Sequence, residues 1–193
     1  MRNILAIAQK ELKSYFASPI AYVVIGLFAL LYGYFYAVML QYFVRAGMNM
    51  NPMMGQQSLN INQDMLRPVL QNVTILLLFV LPAMTMRTYS EERRSGTIEL
   101  LLTMPVTISQ AILGKFLASW LFIAIALALT FPLIITVHVL GDPDNGVIAA
   151  GYVGSLLLGG AYLSLACMTS AITRNQVISF IVSVVLCLFL ILA

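Results

Sequence analysis

Few side chains in this chain could do chemistry, and their spacing limits what that chemistry would be. His138 is the single histidine and has no cysteine or second histidine near it, so a polar residue at the end of an apolar segment is expected there rather than a metal ligand or general base. Cys167 and Cys187 both lie inside apolar runs, where a small buried residue is ordinary and a disulfide framework is not expected. Met48, Met50, Met53 and Met54 crowd one polar stretch. Thioethers are soft ligands suited to Cu(I), but methionines without His or Cys make a thin ligand set, so no metal site is expected. A G-x-x-x-x-G-K-[ST] loop to cradle nucleotide phosphates is missing. Any ATP-driven work would therefore need another chain, and no catalytic residue is assigned.

The remaining chemistry is recognition. Arg87, Glu91, Glu92, Arg93, Arg94, Glu99 and Lys115 form the densest charge in the chain, and such a segment cannot be buried in lipid. Ser90-Glu91-Glu92 places acids where a helix N-terminus welcomes them, Gly96 can end that turn, and Thr97 to Thr103 make a short amphipathic stretch stopped by Pro105. Short helices at the membrane surface are predicted. A solvated charged loop would account for the polar half alone, whereas Ile98, Leu100, Leu101 and Leu102 need an apolar surface to cover them.

The elements that hold this segment are membrane spans. Of 193 residues 61% are apolar and 9% are charged, far from the quarter charged that soluble domains carry. The apolar residues come in runs too long for soluble core helices, so the chain reads as one all-α domain, a polytopic transmembrane bundle. Spans are expected at about 20–44, 69–86, 116–139, 147–172 and 177–193. The fifth ends with no flanking polar residue, and a sixth span is expected to be missing from the sequence. Before the first span, residues 2–18 are expected to stay attached as an amphipathic helix in the membrane interface. Its apolar face is Ile4, Leu5, Ile7, Ala8, Leu12, Tyr15 and Phe16, its polar face Arg2, Gln9, Lys10 and Lys13, and Ser18-Pro19 ends it. Of the tyrosines in the first span, those near the middle must pack against protein or find a hydroxyl partner.

Lys and Arg number eight on one side of the predicted spans (Arg2, Lys10, Lys13, Arg87, Arg93, Arg94, Lys115 and Arg174) and two on the other, Arg45 and Arg67. The positive-inside rule puts the N-terminus and the loop after the second span in the cytoplasm of a bacterial-type inner membrane. Spread over several loops, these cations form no stripe for nucleic acid. The middles of the spans carry no Asp, Glu, Lys or Arg, which disfavours ion-coupled transport. Gly151, Ser155 and Gly159 recur at every fourth position, with Gly160 and Ser164 on an adjoining stripe, and should let helix backbones approach closely. Tight packing within the chain is the first reading of that stripe and a subunit interface the second.

Three segments carry a family resemblance: the start AIAQKELKSYFASPIAYV, the signature SEERRSGTIELLLTMPV followed by ILGKFLA, and TRNQ between the last two spans. With these the chain resembles the permease subunits of type 2 ABC exporters, especially the gliding-motility-associated ones, over nearly its whole length. The resemblance implies a subunit that pairs with a second permease, as a homodimer or heterodimer, and binds cytoplasmic ABC ATPase subunits. ATP and Mg would sit on the ATPase and no cofactor on this chain. On this reading Glu91, Glu92, Arg93, Arg94, Gly96, Thr97, Ile98, Glu99, Leu101, Leu102 and Pro105 dock the ATPase: the charges set register and the apolar ridge enters a groove. Two functions are then open, export or extrusion of a substrate, and a membrane scaffold that passes ATPase motion to envelope partners without moving a solute.

Overall fold

The computed structural model describes residues 2–48, 60–86, 107–173 and 175–192, and among them there is no strand. Helix α1 is Arg2–Ala17, α2 Pro19–Met48, α3 Arg67–Thr85, α4 Ile108–Ala128, α5 Phe131–Leu140, α6 Asn145–Ile172 and α7 Gln176–Leu192. A π-helical turn, Ile61–Leu66, leads directly into α3. Among the described residues four stretches are long and apolar enough to cross a membrane: Ala21–Met48, Ile61–Thr85, Ile108–Val139 and Asn145–Ile172, while Gln176–Leu192 is a shorter apolar helix. The chain is a multi-pass, all-α membrane protein, as its composition requires.

Polar contacts between distant residues fix how the helices stand beside one another. At the end where α3 finishes and α4 begins, here the near end, the Ser170 hydroxyl donates to the Met86 carbonyl at 3.3 Å and Tyr15 hydrogen-bonds Ser119 at 3.1 Å. At the far end the Asp144 amide donates to Asn62 Oδ1 at 3.0 Å, and Tyr36 hydrogen-bonds Thr136. Lipid is as apolar as leucine, so such bonds and close backbone approach hold a bundle together in place of a hydrophobic drive. The core lies where α2, α3, α4 and α6 converge, around Phe28, Tyr32, Leu77, Leu81, Ile123, Tyr162 and Leu163.

Side-chain oxygens mark the breaks. Thr107 caps α4 by accepting from the Gln110 amide at 3.4 Å, and Asp144 caps α6 by accepting from the Gly146 amide at 2.8 Å. Pro132 lacks the amide that would continue the α4 ladder, and the break before it is bridged by Thr130, whose hydroxyl donates to the Leu127 carbonyl at 2.7 Å. Thr130 also hydrogen-bonds the Tyr152 hydroxyl at 2.6 Å.

Several boundaries differ from those expected. The first span continues past Arg45 to Met48, and the second begins at Ile61 rather than Val69, because Asn60 caps the π-helical turn by accepting from the Asn62 amide at 3.0 Å. The third begins at Ile108 rather than Phe116. A hydrocarbon core of roughly 30 Å takes about 20 residues, so the 32 residues of Ile108–Val139 extend beyond it by some twelve. Lys115, expected at the edge of a solvated loop, therefore sits within α4, 3% exposed and near Cys167 of α6.

Helix α1 has the expected amphipathic character, with Gln9, Lys10 and Lys13 exposed. Its apolar face lies along α4: Ile4 and Ile7 meet Gly114, Tyr15 meets Ser119, and the Phe16 ring lies tilted against Phe122 with centroids 5.8 Å apart. These contacts advance together along both helices, so α1 accompanies the first turns of α4. Leu5, on the same expected apolar face, is 65% exposed.

Candidate functional site

The near end gathers the finish of α3, the capped start of α4 and the finish of α6. Residues 87–106 join α3 to α4 there and lie outside the described residues, and with them every expected docking residue: Glu91, Glu92, Arg93, Arg94, Gly96, Thr97, Ile98, Glu99, Leu101, Leu102 and Pro105. Both attachments of the segment are described. On one side, Thr85 is fully buried and its hydroxyl donates to the Leu81 carbonyl at 2.8 Å, while the Met86 amide donates to the Pro82 carbonyl at 2.9 Å. The Met86 carbonyl accepts from Ser170, so the last turn of α3 is tied to the last turn of α6. On the other side, Thr107 starts a helix that α1 clasps two turns later, at Gly114.

The α6–α7 contact is stiffened close by. Thr169 hydrogen-bonds Ser183, whose hydroxyl also donates to the Ser179 carbonyl at 2.7 Å. Ser179, Ser183 and Cys187 are buried at every fourth position of α7. That stripe has the same spacing as the glycine stripe of α6 and was legible in the same way, but serines and a cysteine in a valine-rich run hide it.

The helix-packing residues stand in the centre of the bundle. A methyl group added at Gly151 would strike Leu70 of α3, and one at Gly159 would sit 3.5 Å from Ile123 and 3.8 Å from Leu77. Ser155 is buried and donates to the Gly151 carbonyl at 2.8 Å. Trp120, which the sequence reading passed over, lies against Gly160 and donates its indole N–H to the Leu156 carbonyl at 3.2 Å. A lone tryptophan needs a donor's partner when buried, and a glycine pair on the facing helix is where one becomes reachable.

Elsewhere the chemistry-bearing residues are engaged structurally. His138 hydrogen-bonds the Ile134 carbonyl at 3.1 Å and Asn145 Oδ1 at 2.9 Å, joining α5 to the start of α6. Cys167 and Cys187 are free thiols. Of the four methionines of the polar stretch, Met48 is described and exposed, while Met50, Met53 and Met54 lie outside the described residues. Among the described residues no three of His, Cys, Asp or Glu converge on a point that could hold a metal ion.

A comparison with curated proteins found no match. The family model described as ABC-2 family transporter protein matches residues 5–193, at the level of the family as a whole and without singling out a gliding-motility branch. With that match over nearly all of a multi-pass helix bundle, the chain belongs to the ABC-2 transporter family and is an ABC-transporter permease subunit.

Proposed function

We propose that this permease couples ATP hydrolysis on a separate cytoplasmic ABC ATPase to export or extrusion of a substrate, and that residues 87–106 are the part the ATPase grips. The observation that carries the reading is the union of that segment's character with its mounting. Four successive charges, Glu91 to Arg94, precede an apolar ridge, Ile98 to Leu102, and the segment is hung between the braced end of α3 and the capped start of α4. A loop that only needed solvation would carry no such ridge.

The eight-to-two basic bias supports a cytoplasmic N-terminus and near end, in a bacterial-type cytoplasmic membrane. With the near end at the cytoplasmic surface, Lys10 and Lys13 on α1 face the anionic headgroups and the exposed Leu5 enters the interface. Helix α1 then accompanies the cytoplasmic turns of α4 rather than lying flat across them. A second permease subunit completes the path, because one bundle with a filled core encloses none. ATP and Mg belong to the ATPase.

Affinity purification in mild detergent tests the reading: an ABC ATPase should copurify, and inverted vesicles carrying both subunits should accumulate substrate only with hydrolysable ATP. Absence of any copurifying ATPase would defeat it.

A further inference from the structure

A groove of about 640 Å³ runs down the far half of the bundle between α3 and α6, a volume in the range of small-molecule sites. Arg67, Gln71 and Thr74 line one wall at successive turns of α3, with Asn62 and Gln63 at the mouth. The opposite wall is the small-residue face of α6 around Gly154, closed below by Leu158. From Arg67 to Thr74 the polar wall descends about 10 Å, and from Val147 to Leu158 the α6 wall descends about 16 Å, so the groove starts polar and ends apolar well inside the span.

Three features are unusual for a membrane-embedded face. Arg67 and Gln71 are exposed to the groove near the outer end of the span, Thr74 is half-buried one turn deeper, and among the described residues none of the three side chains is hydrogen-bonded or ion-paired. Neither Asp64 nor Asp144 lines the groove; each accepts from a backbone amide at 2.8 Å, from Asn60 and from Gly146 respectively. The floor is also open at Gly154, where an added methyl group would meet nothing within 4 Å.

We propose that this groove binds an anionic amphiphile, its phosphate or carboxylate head on Arg67 and the carboxamides of Asn62, Gln63 and Gln71, its alkyl chain along Leu70, Val147 and Leu158. A guanidinium whose donors meet no partner among the described residues matches an oxyanion, carboxamides complete its coordination, and the apolar depth excludes a fully polar solute. Taking the occupant as cargo rests on the permease reading, but binding itself needs no ATPase, so the two can fail separately. An anionic amphiphile can come from the bilayer, as a phospholipid, or from outside it, as a single-chain compound.

The test is scintillation-proximity binding of radiolabelled dodecyl phosphate to the full chain in phosphatidylcholine nanodiscs. Saturable binding is expected, competed by unlabelled dodecyl phosphate and not by dodecyl maltoside or inorganic phosphate. Arg67→Gln should weaken it about tenfold or more. Gly154→Leu, whose Cβ meets nothing within 4 Å and whose side chain projects into the groove, should weaken it comparably while the protein stays monodisperse. Phosphatidylglycerol built into the nanodiscs will compete if the occupant is a bilayer lipid; lack of competition assigns the groove to a single-chain amphiphile. Equal binding by both variants and wild type, equal competition by dodecyl maltoside, or full competition by inorganic phosphate alone would each overturn the proposal.

Discussion

Replacing Gly114 with alanine probes the seam between α1 and α4 at its tightest point. A Cβ there would lie 2.6 Å from Ile7 Cγ2, 2.8 Å from Ile7 Cβ and 3.3 Å from the Ile4 carbonyl. The Ile7 Cβ is fixed to the α1 backbone, so no rotamer change relieves the overlap, and α1 must move outward by about 0.8 Å to restore an ordinary contact near 3.6 Å. The same movement stretches the 3.1 Å Tyr15–Ser119 hydrogen bond beyond bonding range. Overpacking costs about 1–3 kcal/mol and the lost bond about 0.6 kcal/mol, against a gain of about 1 kcal/mol in helix propensity. Gly114→Ala should therefore destabilise by roughly 0.6–2.6 kcal/mol. Gly154→Ala, with nothing for its methyl to strike, is the matched control and should stabilise by up to about 1 kcal/mol. The assay is reversible SDS unfolding of both variants, with and without Tyr15→Phe. Tyr15→Phe should lose its effect in the Gly114→Ala background. A Gly114→Ala protein as stable as wild type, or a Tyr15→Phe effect of equal size in both backgrounds, would refute the packing described for α1.

The Tyr36–Thr136 bond ties α2 to α5, so Tyr36→Phe and Thr136→Val should each destabilise by about 0.5–1.5 kcal/mol and together by less than their sum; full additivity in a double-mutant cycle would deny the bond. A single cysteine at Ser95, in a protein lacking Cys167 and Cys187, should resist an impermeant thiol reagent applied to intact cells and react in inverted vesicles. Labelling from outside would reverse the proposed topology. Replacing Met48, Met50, Met53 and Met54 with leucine should leave copper binding and copper tolerance unchanged, which metal analysis and growth tests measure directly.

The length of apolar runs made the spans legible, because it is a one-dimensional property of the chain. Which face of each helix meets protein was harder to read. Lipid and core are equally apolar, so Tyr32 and Tyr34 look alike in the sequence, yet Tyr32 is 2% exposed and Tyr34 is 62% exposed. Polar residues resolved this only where they repeat: the Gly151, Ser155 and Gly159 stripe meets α3 and α4 within the chain. Lys115 misled by its charge, since a lysine reads as the end of a span even where, as here, the helix begins seven residues earlier at Ile108. The run from Ile61 to Arg67 misled by its polar residues, because Asn60 and Asp64 are satisfied locally by capping and leave the helix free to start early. The docking signature was read from residue types alone, and its two attachments, Met86 and Thr107, are what the fold adds to it.

The central claim is that the ridge at Leu101 docks an ATPase, and the affinity of the copurified ATPase for Leu101→Asp protein tests it most directly. Burying a leucine contributes roughly 1.5–3 kcal/mol, and a desolvated carboxylate adds to the loss, so affinity should fall by about two orders of magnitude or more. Glu92→Gln, an exposed charge worth at most about 1 kcal/mol, should reduce it less than about fivefold. Both proteins should insert and run as monodisperse particles in detergent. Retention of the ATPase by Leu101→Asp at wild-type affinity would contradict the account.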